Sequence, residues 1–584
     1  MSKSPYEGGP AGDAASREGL ANLRTQLASL KATKAALVHL KKGLSYANER
    51  KFEAAGLAAK RAIKLDPNIV YGWHLLGIAL DKQDDRPGAL DAYERALALD
   101  PESPQIANDL GRLAYRMEMW PQAEALFRHC LLRRHASPEA SNNLAALYRR
   151  QMRYEEAIEV LRLALTVDPN QPLLWVTLGT IMGDQGKFEE AETFYLEALR
   201  LDPNDAKALY NITGIMFSRG EEQEAIDQCM RALPLATAPE HATMMRFSIG
   251  TMSLSRGDLP QGWNYYAARL EPTFTEPVHF LANRPRWEPG MDIAGRHLML
   301  YGEQGLGDEV LFANVLEDVL ADLGPSGRMT FAITDRLLPL FKRSFPQITL
   351  GAHLTFGKEG KRYRTAPFMQ DWADVDYWIP VGELLKGYRA DVGSFPNRPE
   401  GFMLADPKRV EHWRGILSEL PGMKVGLLWT SLVVDNNRSV NFSPFEQWKP
   451  ILRTPGVTFV NLQYGDRTEE LDFARRNFGV EIFQPEGIDL KNDLDDVAAL
   501  SKAMDLVLGI SNATFNMAAA VGAPTWLLTA PRSWTSLGTK TYPWYSQVRR
   551  FAPAKAGEWG DAMDEIALAL AKHARGGTRL TAAG

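Results

Sequence analysis

The sequence predicts an α + α/β protein, in which a helical repeat array is followed by a two-lobed part built on parallel sheets. Two patterns carry this prediction: a period of 34 residues in the first half and alternating strand-like and helical segments in the second. A chain of 584 residues is also too long for one core. The predicted domains are a tail and leading helix (1–35), a repeat array (36–272), a first lobe (273–400), and a second lobe with a C-terminal helix (401–584).

Small residues recur at the repeat spacing. One series is Ala55, Ala89, Ala123, Ala157, Ala191 and Ala225, a second is Ala62, Ala96, Cys130, Ala164, Ala198 and Ala232, and a third is Gly43, Gly77, Gly111, Ala145, Gly179 and Thr213. Small side chains at fixed positions predict close helix approach, and the Asp-Pro steps at Pro67, Pro101, Pro169 and Pro203 predict helix ends. The pattern resembles the tetratricopeptide repeat, with about six units from 36 to 240 and a degenerate seventh reaching Pro272.

A polar series lies on the first helix of successive units at Asp109, Asn143, Thr177 and Asn211. Side chains of this kind could bind the backbone of an extended peptide lying in the groove of the array. Asparagine before Leu-Gly could equally be a recurrent structural residue of these repeats. The sequence leaves both interpretations open.

In the second half, HLMLYGEQGLGDEV is predicted to be strand, turn and helix. Strand-like segments follow at MTFAIT, ITLGAHL, KVGLLWTS, VTFVNLQYG, VEIFQ, MDLVLGIS and APTWLLTA, with helical stretches between them. Ligands of doubly wound sheets bind beyond the carboxyl ends of the strands, which selects the turns GEQGLGD (302–308) and GISNATFNMAAAVGAP (509–524). The first turn lacks GK[ST] and does not fit GxGxxG. Gly305 and Gly307 could simply ease the connection, and the acidic residues Glu303, Asp308 and Glu309 could be helix caps.

Composition excludes several classes of function. A net charge of −6 argues against non-specific binding to nucleic acid or to an anionic membrane. Two isolated cysteines, Cys130 and Cys229, predict no disulfide framework and suit a reducing cytoplasm. The N-terminus lacks the apolar core of a signal peptide, and no apolar run is long enough to span a membrane. The expected location is cytoplasmic.

Four segments together resemble a known family. GWNYYAARLEP, RPRWEPG, LMLYGEQGLGDEVLFANVL, and DLVLGISNATFNMAAAVGAPTWLL followed by YPWYSQVRRF are similar to bacterial tetratricopeptide proteins fused to a heptosyltransferase-like GT-B glycosyltransferase. The resemblance implies a tetratricopeptide superhelix followed by a two-lobed, twin Rossmann-like GT-B domain. It also implies an inverting, metal-independent reaction, with the nucleotide sugar on the second lobe and the acceptor facing the first. DVD at 374–376 is read as a loop and not as a metal site.

The resemblance assigns roles to individual residues. Asp308 closes the glycine turn where the family places its base, because an acceptor hydroxyl must lose a proton as it attacks the anomeric carbon. The leaving phosphate would be bound by Arg438 and by the helix start after Ser511, Asn512 and Thr514. The expected sites are therefore a catalytic Asp308, a glycine turn of Gly305 and Gly307, and a nucleotide-sugar site of Arg438, Ser511, Asn512, Thr514, Asn516 and Lys540.

The chain departs from the family where the donor is expected. Acidic residues and a histidine common there are replaced by Ser511, Asn512 and Asn516, and an acidic pair before Pro-Trp-Tyr by Lys540 and Thr541. One interpretation is an inactive transferase. The other is an anionic donor sugar such as a nonulosonic acid, whose carboxylate a neighbouring Asp would repel by about 1–4 kcal/mol.

The leading functional hypothesis is a protein O-glycosyltransferase, similar to the flagellin glycosyltransferases of stalked and related bacteria that use CMP-pseudaminic acid. The repeats would bind the acceptor protein, flagellin, and the only other requirement would be the nucleotide sugar as co-substrate, with no cofactor. The alternative is a non-catalytic adaptor that retains a degenerate transferase. An enzyme acting on lipopolysaccharide would need a membrane-facing surface that the sequence does not offer.

Overall fold

The computed structural model of this protein describes residues 34–358, 360–431 and 442–576. Within them the chain divides into two compact units. The first contains residues up to 215 together with 231–241, and the second contains 216–230 and the residues from 242 onwards. A helical repeat region followed by a region of parallel sheets confirms the predicted order of fold classes.

The first unit consists of antiparallel helix pairs. Its helices are α1 (Lys34–Asn48), α2 (Phe52–Leu65), α3 (Val70–Asp81), α4 (Arg86–Leu99), α5 (Pro104–Arg116), α6 (Trp120–Arg133), α7 (Pro138–Arg150), α8 (Tyr154–Val167), α9 (Pro172–Asp184), α10 (Phe188–Leu201) and the first part of α11 (Ala206–Arg219). Helices α2, α4, α8 and α10 each end one residue before an Asp-Pro step, as predicted.

The small-residue series lie where the helices of a pair touch. A β-carbon placed on Gly77 would come within 2.6 Å of the ring of Tyr93, and one placed on Gly179 would come equally close to Tyr195. No real β-carbon tolerates that distance, so these positions exclude every side chain larger than hydrogen unless the aromatic partner moves. The two other series are buried throughout. The prediction of close helix approach is confirmed.

The turn inside each helix pair contains one residue in the left-handed backbone region, and this position also repeats every 34 residues. It is occupied by Arg50, Asp84, Glu118, Met152, Gly186 and Gly220, with φ between 59° and 93°. Non-glycine residues are disfavoured in this region, because their β-carbon crowds the backbone. The helix pair therefore imposes the turn geometry on side chains that do not favour it.

The polar series does not form the peptide-binding surface proposed for it. Hydrogen bonds connect each member to another helix of the array: His74 with Asp109 (2.8 Å), Asn143 Nδ2 to Asn108 (2.9 Å), Thr177 Oγ1 to Asn142 (2.5 Å) and Asn211 Nδ2 to Thr180 (3.2 Å). Three of the four members are buried, and Asn211 is half-buried. Acceptor binding by these residues is corrected to a structural role, because these polar groups join successive repeats.

The second unit begins with helices that continue the repeat pattern. These are the end of α11, most of α12 (Glu222–Ala232), α13 (Pro239–Arg256, from 242) and α14 (Leu259–Tyr266). The first strand follows at Val278. Although periodicity groups residues 242–272 with the repeats, Leu254, Leu259, Trp263 and Tyr266 belong to one hydrophobic cluster with residues of both large sheets.

The strands of the second unit form three sheets. They are β1 (Val278–Phe280), β2 (His297–Tyr301), β3 (Arg328–Ile333), β4 (Thr349–Ala352), β5 (Leu354–Lys358), β6 (Lys361–Thr365), β7 (Tyr377–Pro380), β8 (Met423–Leu428), β9 (Val457–Asn461), β10 (Leu506–Gly509), β11 (Thr525–Leu528) and β12 (Val548–Phe551). The N-terminal sheet has the order β4-β3-β2-β7 and the C-terminal sheet the order β12-β11-β10-β8-β9, and every pairing in these two sheets is parallel.

Helices connect and cover these strands. They are α15 (Leu306–Phe312), α16 (Leu316–Leu323), α17 (Leu338–Ser344), α18 (Leu385–Tyr388), α19 (Pro407–Ser418), α20 (Lys449–Leu452), α21 (Thr468–Phe473), α22 (Leu494–Ala503), α23 (Ala513–Ala520) and α24 (Gly560–Gly576). VEIFQ (480–484) does not form the expected strand, since only an isolated bridge joins Phe483 to Val460. The third sheet, β1-β6-β5, contains an antiparallel hairpin that the sequence reading did not predict.

Replacing Asn143 by Ala tests the structural role of the polar series. The change leaves the buried carbonyl of Asn108 without its donor, which costs about 1–3 kcal/mol. Hydrogen–deuterium exchange of the full chain should therefore show faster exchange in α5 and α7. Asn204→Ala, at an exposed position, is the matched control. If exchange in α5 and α7 is unchanged in the Asn143 variant, the structural role is wrong and the peptide-binding interpretation is favoured.

Candidate functional site

The two turns selected from the sequence lie against each other. Helix α15 begins just after Gly305, beyond the carboxyl end of β2, and α23 begins after Asn512, beyond the carboxyl end of β10. The amide Nδ2 of Asn516 donates to the carbonyl of Gly307 across 3.2 Å. A β-carbon on Gly307 would lie 3.3 Å from the backbone of Ala513, so a side chain there would push the two turns apart.

Two of the three carboxylates near the glycine turn are structural. Glu303 is buried and accepts two hydrogen bonds from Arg269, at 2.9 and 2.8 Å, and a third from the backbone N–H of Gly382 at 2.7 Å. Burial alone would lower the pKa of Arg269, but the carboxylates of Glu303 and Glu383 raise it above its ordinary value. Arg269 therefore stays charged, and its two hydrogen bonds to Glu303 fix the start of the turn.

Glu309 is also buried and has its own partners. Its carboxylate accepts from the backbone N–H of Thr334 at 2.8 Å and from the hydroxyl of the same residue at 3.1 Å, and it lies 2.9 Å from His353 Nε2. Of the acidic residues noted in the turn, Asp308 is thus the one whose side chain is only half-buried. Sequence alone could not separate the three.

Asp308 is half-buried at the third position of α15. Its Oδ2 accepts a hydrogen bond of 3.1 Å from the N–H of Gly305, so it does cap the helix as the structural interpretation proposed. Burial raises the pKa of Tyr266, Tyr542 and Tyr545, and the negative charge of Asp308 adds to each rise. The charge of Asp308 thus acts on phenols from two parts of the second unit, α14 and the segment that precedes β12.

Tyr542 is sensitive to charges from the glycine turn and from the C-terminal sheet. Its ring is buried, which raises its pKa, and the negative charge of Asp308 acts in the same direction. The positive charge of Arg550 lowers the pKa of Tyr542. Asp308 and Arg550 therefore act on one phenol, although they lie on separate segments of the chain.

The other predicted donor-site residues differ in placement. Ser511 is exposed, Asn512 is half-buried, and Thr514 and Asn516 are buried on α23. Lys540 is exposed in the turn that precedes Tyr542. Arg438 lies outside the described residues. The structure thus brings Asp308, Ser511, Asn512 and Asn516 to one place, with Gly305 and Gly307 beside them.

Arg550 is a candidate residue that sequence reasoning missed. It lies on β12, where its Nη1 donates to the carbonyl of Thr539 (3.0 Å) and its Nη2 to that of Pro531 (2.6 Å), while its buried Nε has no partner. No described carboxylate is within ion-pair distance, and burial lowers the pKa of the group. The alternation of side chains along β12 could have identified it. Arg549 is half exposed and pairs with Glu565, so the next residue, Arg550, must point to the opposite face.

Repeat-derived helices and the residues just after them support the first turn of the site and the loop at 531–535. Arg269 binds Glu303 in the first turn, as described above. On the other side, Trp534 packs against Trp263 and Tyr266, and Arg532 donates to Glu222 (3.1 Å) and to the carbonyl of Ser218 (3.0 Å). The loop that carries Thr535 is thereby fixed to the same helical segment.

Metal-binding clusters and membrane-spanning helices are both absent from the described residues. Within the described ranges, no group of three or more His, Cys, Asp or Glu residues is placed to hold a metal ion. In the DVD segment, Asp376 pairs with Arg296 and Asp374 with Arg328. None of the helices described above combines the length and the apolar character needed to cross a membrane.

Replacing Arg269 by Met tests the support of the first turn. The change leaves Glu303 as a buried, uncompensated carboxylate, which should cost about 3–5 kcal/mol of stability. Urea unfolding followed by tryptophan fluorescence should show a lower midpoint. The control Arg286→Met removes an ion pair of the same Glu383 network at a side chain that is 40% exposed, where about 1 kcal/mol or less is expected. Equal midpoints for the two variants would contradict the assignment.

Comparison with known proteins identifies the repeats. Models of the tetratricopeptide repeat match residues 36–69, 70–103, 136–204 and 176–242. Protein FlbA of Caulobacter vibrioides is 48% identical over 343 residues, which are 59% of this chain and 57% of FlbA, so this chain spans little more than half of that relative.

Two solved structures show a weak likeness to part of this chain. A MamA protein is 20% identical with a TM-score of 0.27, covering 30% of this chain and 95% of MamA. PilF of Pseudomonas aeruginosa is 17% identical with a TM-score of 0.31, covering 37% and 98%. Scores this low carry no argument about fold or function. On the family models, the N-terminal part of this protein is an array of tetratricopeptide repeats.

Proposed function

We propose that this protein is an inverting protein O-glycosyltransferase of the GT-B class, whose repeats bind the acceptor protein. The observation that carries the proposal is the placement of Asp308. This half-buried carboxylate lies where the start of α15 meets the start of α23, beside phenols and unpaired amides. Neither of its acidic neighbours is available for proton transfer, since both are buried among structural partners.

The topology supports the class. Counted within each sheet, the strand orders are 3-2-1-4 and 5-4-3-1-2, the orders of doubly wound folds. Such folds bind ligands beyond the carboxyl ends of their strands, where both turns of the candidate site lie. Two sheets of this kind in one compact unit are what a twin Rossmann-like transferase requires.

The chemistry follows from one carboxylate. Asp308 takes the proton of a serine or threonine hydroxyl as its oxygen forms a bond to the anomeric carbon of the donor. The bond from that carbon to the nucleotide phosphate breaks at the same time, and its electron pair leaves with the phosphate. A single displacement inverts the anomeric centre and needs no second carboxylate as nucleophile.

The charges near α23 suit an anionic donor. Arg550 offers a cation without a carboxylate partner, and Ser511 and Asn512 are neutral where related transferases carry acid. We therefore retain a nonulosonic acid, such as pseudaminic acid carried by CMP, as the proposed donor sugar. Flagellin, the acceptor implied by the family resemblance, would bind the repeats through residues other than the internal polar series.

Asp308→Asn tests the proposed base. Asparagine retains an oxygen that can accept from Gly305, so the helix cap and the fold should survive, whereas proton transfer should fall by about a hundredfold or more. Mass spectrometry of the acceptor from cells carrying the variant should show loss of glycan. Asp258→Asn, a cap of α14 that accepts from Gln261, is the matched control. A normal glycan load in the Asp308 variant would reject the base, and a wild-type chain that binds no nucleotide sugar would favour the adaptor alternative.

Arg550→Gln tests the anion site and has a control at the adjacent residue. Loss of a charge-assisted hydrogen bond to phosphate or carboxylate costs about 1.5–3 kcal/mol, so calorimetry should show roughly tenfold to hundredfold weaker nucleotide binding. Arg549→Gln, which points away and pairs with Glu565, should bind as the wild type does.

Arg550→Lys distinguishes the effect of the positive charge from that of the hydrogen bonds that Arg550 donates to the carbonyls of Thr539 and Pro531. Lysine keeps the charge and should recover part of the affinity lost by the glutamine variant. Equal nucleotide affinities in the Arg550→Gln and Arg549→Gln proteins would show that Arg550 only binds the loop carbonyls and does not bind the anion.

A further inference from the structure

Two asparagines at the start of α23 each use one polar atom of the side-chain amide in a hydrogen bond, while the other polar atom has no hydrogen-bond partner. Asn512 and Asn516 are four residues apart, so they lie on the same face of the helix, one turn apart. Both belong to the turn that contacts Gly307. Their unpaired atoms define what a ligand at this position must offer.

The orientation of Asn512 is fixed by the backbone. It caps α23, and its Oδ1 accepts the N–H of Phe515 at 2.9 Å. Because an N–H can only be bonded by an acceptor, the oxygen must face the helix and the NH₂ must face away. That Nδ2 is buried and has no hydrogen-bond partner. Asn512 therefore presents an unused donor.

The orientation of Asn516 is fixed in the opposite sense. Its side chain is 5% exposed, and its Nδ2 donates to the carbonyl of Gly307. Because a carbonyl can only be bonded by a donor, the amide nitrogen must face Gly307. The Oδ1 is then left buried without a partner. Asn516 therefore presents an unused acceptor.

Buried polar atoms of this kind are rare and call for a partner. A phosphate or carboxylate oxygen could bond Asn512, yet it only accepts and would leave the oxygen of Asn516 facing another electron-rich atom. A hydroxyl satisfies both residues, because it accepts from Asn512 and donates to Asn516. An anion is thus the poorer match for the pair, while Arg550 remains the group suited to it.

We infer that Asn512 and Asn516 together bind a hydroxyl group of the donor substrate, from its ribose or from its sugar ring. The inference rests on the proposed function, since it names the part of the nucleotide sugar that this face of α23 recognises. It also connects donor binding with the base, because the amide of Asn516 bonds the residue directly before Asp308.

Asn512 permits a test that leaves the helix cap in place. Serine and aspartate both cap helices as well as asparagine does. Asn512→Ser therefore keeps an acceptor for Phe515 but replaces the NH₂ donor by a hydroxyl on a shorter side chain, and Asn512→Asp keeps the cap and turns the donor into an acceptor. Both variants should unfold at the wild-type temperature. Asp85→Asn, the reverse exchange at the exposed cap of α4, is the matched control.

Calorimetry with the full chain would compare cytidine, 2′,3′-dideoxycytidine, CMP and a CMP-sugar, with the uridine and guanosine series in parallel. If the bound hydroxyl is on the ribose, wild type should prefer the nucleoside to its dideoxy form, and Asn512→Ser should lose roughly threefold to tenfold of that preference. If it is on the sugar, the extra affinity of the nucleotide sugar over the nucleotide should shrink instead. Asn512→Asp should lose at least as much as the serine variant in either case.

Two results would overturn the inference. Wild-type affinities in Asn512→Ser for every ligand would show that the amide serves only as a cap. A loss that appears with CMP and not with cytidine or the sugar would show that Asn512 contacts an oxyanion. Either result leaves the proposed function intact if the wild-type protein binds a nucleotide sugar. A wild-type protein that binds none of these ligands would contradict both the inference and the proposed function.

Discussion

The buried ion pair between Arg269 and Glu303 is the interaction on which the rest of the candidate site depends. Glu303 lies at the start of the turn at 302–308, and Arg269 follows the last repeat-derived helix. Since both charges are out of water, the pair tolerates neither partner being lost. It therefore determines where the turn lies, and through Gly307 and Asn516 it determines where α23 meets Asp308.

Sequence predicted the features that a period or a backbone rule determines. The small-residue series and the Asp-Pro helix ends were confirmed because sterics alone fix them, as Gly77 against Tyr93 illustrates. The left-handed turn position repeats just as regularly, yet Met152 and Glu118 occupy it as readily as Gly186. The backbone geometry of the helix pair determines this position, and it cannot be recognised from residue type.

The failures share a physical cause. Whether a polar side chain faces a partner or a ligand depends on atoms distant in sequence, and periodicity does not contain those atoms. Sequence left both a groove position and a structural position open for Asn143, and only the structure shows its bond to Asn108 of the preceding repeat. Glu303 and Glu309 could not be told apart from Asp308 until Arg269, Thr334 and His353 were in place. Arg550 was overlooked because its carbonyl partners lie in a loop without a motif.

The position of the repeat-derived helices limits how far binding and catalysis can be separated in this chain. A division at residue 272, which periodicity suggests, would take Arg269 from Glu303 and Trp263 from Trp534. The C-terminal part would then contain Glu303 without its cation and Trp534 without the aromatic residues that pack against it. A truncated C-terminal part that failed to act would thus be uninformative about Asp308. Because residues 218–269 contact both the first turn and the loop at 531–535, the adaptor and transferase hypotheses are best separated by single substitutions in the full chain.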